Sequence, residues 1–472
     1  MKILLTGTTG YIGQRLLAVL LEKGHQVICC VRDKQRFDTS KYNPAKIEVV
    51  EVDFLRVETL KNIPNDIDAA YYLIHSMSAP SGDFQKLEAE AAQNFKKYIE
   101  TTRLEQLIYL SGIVNESQLS KHLQSRHDVE QILASPNYHL TTLRAGIVIG
   151  SGSASFEIMR DIVEKLPIMI TPRWLNTKSQ PIAVRNVIEF LSRVLMCEVT
   201  FDKNYDIAGN EVLSYKEMLL KFAKVRNLKR TIITVPVMTP RLSSYWLYFV
   251  TSTSYRLAVN LVNSMKVEVI ARKNNLHETL GINLLSYEEA VQSAFNHIAI
   301  QKVSSSWTDA LSSNVLEDGI SNLIEVPAFG CFSDKKVLQI DNEQKVLENI
   351  WAIGGDRGWY YANWLWRLRG FIDKLSGGVG LRRGRKNATE ISVGDALDFW
   401  RVIVANKEQK RLLLFAEMKL PGEAWLEFCI KDNNLYQTAT FRPHGLWGRI
   451  YWYSVLPFHG FIFKGMINKI AK

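Results

Sequence analysis

Short, continuous apolar runs alternate with amphipathic stretches through the first two hundred residues. KILLTG, QVICCVR, IEVVEVD, AAYYLIHS, QLIYLSG and LTTLRAGIVIG read as strands, and QKLEAEAAQNFKKYIETT is one of the helices between them. Continuous rather than alternating apolarity marks strands covered on both faces, so the pattern predicts an α/β fold with a doubly wound parallel sheet. After Gly150 the rhythm loosens into a smaller lobe. FEIMRDIVEKLPIMITPRWL and QPIAVRNVIEFLSRVL carry helices, YDIAG a late strand, SYKEMLLKFAKV a helix entered through Ser214, and the stretch from Thr239 to about Asn275 reads as helical.

The serine-bearing VSSSWTDALSSNV breaks this rhythm, and the texture beyond it is different. DFWRVIVAN, RLLLFAEMKL, AWLEFCIKD and LYQTATFRP are divided by turns at KEQK, PGE and DNN, which describes an antiparallel meander. An aromatic-rich helical stretch, LWGRIYWYSVLPFHGFIFKGMINKI, follows. A curved antiparallel sheet with a long C-terminal helix is the order of an α+β helix-grip fold. The expected division is residues 1–300, with the substrate lobe starting near 151, a linker over 301–325, and a second domain over 326–472.

Between the first strand and the first helix stand Gly7, Gly10 and Gly13. In that setting Gly7 permits a tight turn, Gly10 lets the backbone approach a pyrophosphate and Gly13 lets the helix pack close to the sheet, so the loop Gly7, Thr8, Thr9, Gly10, Tyr11, Ile12 and Gly13 is a nucleotide cradle. Nineteen residues after Gly13, at the end of the second strand, comes Arg32, followed by Asp33, with Arg36 one turn on. An acidic residue there suits a ribose hydroxyl and a cation suits a 2′-phosphate, so Arg32 favours NADPH over NAD, which remains possible.

Composition narrows the classes. The chain is 47% hydrophobic and 22% charged, ordinary for a globular protein, and most of its +10 formal charge lies beyond residue 330, notably in GLRRGRKN. No nucleic-acid-binding module is recognisable. Cys29, Cys30, Cys197, Cys331 and Cys429 are too scattered for a zinc site and odd in number for a disulfide framework, so no metal is expected and the thiols read as reduced. With no cleavage-site pattern at the start and no apolar run of membrane-spanning length, a cytoplasmic protein is expected, with peripheral membrane contact open and the oligomeric state not indicated.

The glycine spacing, VRD, VDF at Val52–Phe54, SG at Ser111–Gly112 and LRAGIVIG at Leu143–Gly150 resemble the extended or atypical branch of the short-chain dehydrogenase/reductase superfamily, over residues 1 to about 300. With HLQSR, TPRW, QPIAVRNV, DFWRV and YWY, the whole chain resembles bacterial reductase-like proteins fused to a domain of unknown function, itself similar to START and Bet v 1 helix-grip domains. The resemblance implies Asp53 and Phe54 beside the adenine, Ile74 and the following His75 and Ser76 beside the ribose, and Gly146, Ile147 and Val148 beside the nicotinamide carboxamide.

The superfamily's active members use a serine after the fifth strand, then a Tyr and a Lys four residues apart. Ser111 matches the serine, but no Tyr-x-x-x-Lys follows; eleven residues on comes His122-Leu-Gln-Ser-Arg126. At that spacing His122 and Arg126 share one helical face, and an imidazole can exchange a proton while a guanidinium holds a ribose or a developing oxyanion. His75, just after the fourth strand, is the rival acid/base. The expectation is hydride transfer between NADPH and an apolar carbonyl, enone or quinone-like substrate. The alternatives are an NAD(P)-sensing module without catalysis, or a lipid or quinone carrier. For the second domain the aromatic-rich helix suggests an apolar ligand cavity walled by Trp447, Tyr451, Trp452, Phe458, Phe461 and Phe463, with Arg401, Arg442 and His444 as its polar groups.

Overall fold

Six strands open the chain: β1 (Lys2–Leu5), β2 (Gln26–Val31), β3 (Ile47–Glu51), β4 (Ala69–Tyr72), β5 (Gln106–Gly112) and β6 (His139–Ala145). The structure is a computed structural model that describes residues 1–32, 34, 37, 42–74, 84–114, 121–151, 153–235, 259, 265–299, 326, 331–376, 378–380, 390–443 and 445–472. The chain divides into two units, one of residues 1–251 and 255–312, the other of residues 252–254 and 313–472. Several sequence readings fall outside the described residues: Asp33, Arg36, His75, Ser76, the linker over 301–325, most of the glycine- and arginine-rich stretch after Ser376, much of the helical stretch after Thr239, and His444.

In the first unit the chain continues through β7 (Val148–Ile149), β8 (Ile168–Pro172), β9 (Lys178–Ser179), β10 (Ile182–Ala183), β11 (Lys203–Ile207), β12 (Leu213–Ser214) and β13 (Thr231–Val235). Seven of these form one parallel sheet in the order β11-β6-β5-β4-β1-β2-β3. The order reverses between β1 and β4, which is where open α/β sheets form their ligand crevice. The strands are apolar throughout because both faces are covered. Ile3, Leu5, Val27, Cys29 and Tyr71 pack on one side with α1 (Tyr11–Glu22) and α5 (Val184–Arg193), while Leu4, Ile28, Ala70, Tyr72 and Tyr109 pack on the other with α2 (Phe84–Ile99) and α3 (Lys121–Leu133).

A third core belongs to the lobe. α4 (Ala154–Lys165), α6 (Tyr215–Val225) and α7 (Tyr287–Ala299) bring together Phe156, Phe222 and Phe295 at ring-centroid separations of 5.3 to 5.5 Å. Ser214 caps α6 as the sequence indicates, in a reciprocal capping box with Glu217.

The second unit follows the order strand, two helices, five strands, helix. β14 (Phe332–Gln339) is followed by α8 (Glu343–Trp351) and α9 (Asn363–Leu375), then by β15 (Ala396–Leu397), β16 (Trp400–Asn406), β17 (Arg411–Ala416), β18 (Gly422–Lys431) and β19 (Asn434–Pro443), and by the 26-residue α10 (Gly445–Ile470). The strands pair antiparallel in the order β14-β19-β18-β17-β16-β15.

In its interior Trp351, Trp359, Trp366, Phe399, Trp400 and Phe463 belong to one buried cluster. Arg401 is not a polar group of that interior. Trp400 and Val402 point into the cluster, so Arg401 between them points to the other face, where its guanidinium is fully buried against Glu417 at 2.9 Å. Arg442 likewise pairs with Glu423 at 2.6 Å. Of the six rings expected to wall a cavity, Trp452 and Phe463 are buried, but Trp447, Phe458 and Phe461 are 76%, 55% and 56% exposed. Pro457 stands between the two halves of α10 and removes the backbone bond to Tyr453, and the half after it carries the buried Phe463, Met466, Ile467 and Ile470.

Candidate nucleotide and substrate site

The chain leaves β1 into a turn that only glycines can make. Gly7 has φ +65°, and a Cβ there would stand 2.8 Å from the Leu73 carbonyl oxygen. Its own carbonyl accepts from Gly10 N at 2.9 Å, and a Cβ on Gly13 would lie 2.2 Å from the same oxygen. α1 therefore starts tight against the turn. Gly10, its N-cap, offers no side-chain cap, and the first turn has no acidic residue. The positive end of the helix is left for an anion. The threonines brace this loop: Thr6 donates to the Tyr71 carbonyl at 3.0 Å and accepts from Leu73 N at 3.0 Å, while Thr8 donates to Leu5 at 2.7 Å. The Thr9 carbonyl accepts from Gln14 at 3.2 Å.

Tyr11 belongs to this loop but its side chain turns away from the helix end. Burial pushes its phenol up to about 12, the Arg15 guanidinium stacks over its ring at 4.0 Å, and Arg15 goes on to the Ser151 carbonyl at 2.9 Å. The pair ties the cradle to the loop that follows β7. Ile12 and Gly13 continue into the helix.

Arg32 lies exposed immediately beyond β2. Asp53 follows β3, where its carboxylate accepts from Leu55 N at 3.1 Å and lies 3.8 Å from Arg56. Phe54 points into the core and meets Phe95 at 5.5 Å and Tyr72 at 6.4 Å, so its ring is a packing group and only the Asp53 end of the segment reaches the surface. Ile74 is half-buried after β4. Gly146 must be a glycine, since a Cβ would fall 2.1 Å from the Gln180 carbonyl; Ile147 accepts from Ile182 N at 2.8 Å, and Val148 pairs with Ile182 in β10.

Ser111 is 3% exposed at the end of β5, and its Oγ has no hydrogen-bond partner among the described residues. Tyr109, two residues earlier on the same strand face, has its hydroxyl near that of Ser111 and donates to the Arg126 carbonyl at 3.3 Å. Burial raises the Tyr109 phenol and the nearby Arg126 opposes that rise. Arg126 donates from Nη1 to the Leu110 carbonyl at 3.1 Å, which brings its guanidinium beside the residue that precedes Ser111, with Nε buried and unpartnered. The Arg126 guanidinium is thus held one residue from Ser111 along β5. His122 lies in the first turn of α3, one turn before Arg126, and its side chain lies outside the described positions.

A buried ionic relay escaped the sequence reading. Arg144 on β6 makes a two-pronged pair with Glu130 on α3 at 2.9 and 2.7 Å and lies 4.0 Å from Asp206 on β11, and Asp206 is held in turn by Arg272 at 2.9 and 3.0 Å. Ser125 donates to Glu88 of α2 in a short buried bond. Together these fix α3, the helix that carries His122 and Arg126, against β6 and α2. The signal was an arginine inside the apolar run LTTLRAGIVIG, since a charge on a strand covered on both faces requires a partner. Among the described residues no group of three or more His, Cys, Asp or Glu is placed to hold a metal ion, and no helix is long and apolar enough to cross a membrane.

Comparison with known proteins agrees with this geometry. Residues 7–159 match the NAD(P)H-binding family, and residues 331–466 match a family described as protein of unknown function DUF2867. The photosystem II assembly factor Ycf39 of Synechocystis sp. is 22% identical over 294 residues, which is 60% of this chain and 86% of that protein; Ycf39 of Guillardia theta is 22% identical over 310 residues, 63% and 95% of the two chains. Among solved structures, a nucleoside-diphosphate-sugar epimerase from Staphylococcus aureus superposes with a TM-score of 0.52 at 13% identity, and the triphenylmethane reductase of Citrobacter sp. complexed with NADP(H) with 0.52 at 17%. Each covers 62% of this chain and 100% of the other. The first unit has the Rossmann fold of these structures, with the NAD(P)H-binding match over its residues 7–159.

Proposed function

We propose that the protein is an NADP-dependent oxidoreductase that acts on an apolar carbonyl, enone or quinone-like substrate. The observation that carries this reading is the buried hydroxyl of Ser111, unpartnered among the described residues, next in the chain to the Leu110 carbonyl that the Arg126 guanidinium holds, at the strand ends that flank an uncapped, glycine-built helix terminus. The cradle fits a dinucleotide because Gly10 leaves the backbone bare where a pyrophosphate would rest, Gly13 lets the helix start close against the turn, and the exposed Arg32 offers a charge to a 2′-phosphate. When bound, the reduced nicotinamide supplies a hydride. The chain's own part is to hold the substrate oxygen with the Ser111 hydroxyl, to offset developing negative charge with Arg126, and to deliver a proton from His122 or His75. Arg126 stays protonated throughout and works by charge alone.

For the second unit the strand, two-helix, meander and helix order, with the first strand paired to the last, supports a helix-grip reading. We place the protein in the cytoplasm, as its five free thiols suggest.

A second reading has its own support: the Ycf39 relatives are named as assembly factors, and no Tyr-x-x-x-Lys follows Ser111. In that reading the first unit senses NADPH and passes its state on without turnover. The deciding experiment follows NADPH oxidation with a panel of apolar carbonyls and quinones. Sustained oxidation that drops about 100-fold to 10,000-fold in His122→Phe, at unchanged NADPH affinity, supports the enzyme with His122 as proton donor. The same drop confined to His75→Ala moves that role to His75. Tight NADPH binding without turnover across the panel leaves the sensor.

A further inference from the structure

α9 and α10 show solvent what helices of a folded domain normally bury. On α9, Trp364, Phe371 and Leu375 are 64%, 55% and 60% exposed, with Leu368 and Ile372 between them, a spacing that lines one helical face. On α10, Trp447, Tyr453, Phe458 and Phe461 stand out in the same way. The two helices adjoin, since Tyr361 at the approach to α9 meets the Phe461 ring at 5.1 Å and closes over Gly465. Exposed apolar area on this scale marks a surface that is covered in use.

Its charge indicates what covers it. α10 has no acidic residue in 26 positions and carries Arg449, Lys464 and Lys469, all exposed. The single acid of α9, Asp373, is fully buried and accepts from Gly380 N at 2.8 Å and Lys419 N at 2.7 Å, while Arg367 on that helix is exposed. The surface is therefore aromatic, aliphatic and basic, with no exposed carboxylate on either helix. We infer that α9 and the exposed side of α10 form a peripheral membrane-binding face that lies in the headgroup region of an anionic bilayer, with the rings in the acyl boundary and the cations at the lipid phosphates. Tryptophan, tyrosine and phenylalanine prefer that boundary, and lysines and arginines add attraction to anionic headgroups. A second copy of the chain fits less well, because an isologous contact would set the same cations against each other with no acidic partner.

Flotation of the full-length protein with phosphatidylcholine vesicles, with and without phosphatidylglycerol, tests this. The protein should float with the anionic vesicles, weaken as salt rises, and have its tryptophan emission quenched by brominated acyl chains. Phe371→Ser and Phe458→Ser, both at exposed positions, should each weaken partitioning about tenfold at unchanged circular dichroism, and Arg449→Glu should remove the preference for anionic vesicles by several-fold. Absence of flotation, unchanged flotation in both phenylalanine variants, or no quenching by brominated chains would overturn the inference. So would sedimentation showing that these substitutions dissociate an oligomer while leaving vesicle binding alone.

Discussion

Gly13 approaches Gly7 so closely that a single methyl on it would lie 2.2 Å from the Gly7 carbonyl oxygen. The obstacle is backbone on both sides, which cannot swing away as a side chain can. Gly13→Ala should push α1 off the turn, cost about 1–3 kcal/mol in stability as overpacking does, and weaken NADPH binding about tenfold or more. Fluorescence titration and thermal unfolding read the two effects. An affinity within twofold of the wild type would mean that the cradle does not hold the nucleotide.

Arg32 sets the cofactor preference. NADPH should bind about tenfold to a hundredfold more tightly than NADH, the equivalent of about 1.5–3 kcal/mol for a hydrogen bond to a charged group. Arg32→Glu should erase or invert that ratio without changing the melting temperature, because the side chain is exposed. Equal affinities in the wild type count against the assignment.

The Glu130–Arg144 pair predicts a non-additive pair of variants. Glu130→Ala leaves Arg144 buried with only Asp206 at 4.0 Å, and losing one partner of a buried pair costs about 3–5 kcal/mol. The unfolding midpoint of the first unit should fall by roughly 10 °C. Glu130→Leu combined with Arg144→Leu should recover much of the loss, since Asp206 keeps its bonds to Arg272. A double variant as unstable as Glu130→Ala would show that the pair is not the cause.

Asp398 gives the second unit a pH dependence of unusual sign. Burial raises its carboxyl to about 6, against an ordinary 3.8, and the opposing bond from Trp359 Nε1 at 2.6 Å does not cancel the rise. Between pH 4 and 6 the folded protein therefore holds more protons at this site than the unfolded chain, so the unit loses stability as pH rises through that window and stays flat above it. The full effect amounts to up to about 3 kcal/mol, reduced by the water the carboxyl retains. Asp398→Asn keeps an acceptor for Trp359 and tolerates the φ of +52° at this turn. It should raise the melting temperature at pH 7 and flatten the profile; an unchanged profile removes Asp398 as its source.

The parallel sheet was legible because each strand is apolar without interruption, and the cradle because its glycines sit between a strand and a helix. Ser214 could be read as a cap from its place before an amphipathic run. Phe54 shows where reading by position stops: its number put it at the crevice, while its ring had more apolar surface to gain beside Tyr72 and Phe95. The rings of α10 misled in the other direction. Aromatic content fixes how much surface a helix offers, not which side the sheet takes: Trp452 stacks on Phe332 and Phe441, and Phe463 joins the buried cluster, while Trp447, Phe458 and Phe461 stay exposed. Arg144 was visible in the run around it, but Glu130, Asp206 and Arg272 come from separate segments that no local pattern joins.

Pairing of β14 with β19 has a consequence for how the second unit is made. Val337 lies opposite Tyr436, partners about a hundred residues apart, and among the described residues β14 has no other strand beside it. During synthesis β14, α8 and α9 emerge first and wait, with their apolar faces uncovered, until β19 leaves the ribosome. Such distant pairing is slow to close and leaves an unpaired strand exposed to other chains meanwhile. Expression that slows translation late in the reading frame should therefore lower soluble yield more than slowing it earlier, and a chaperone that shields nascent apolar segments should restore it.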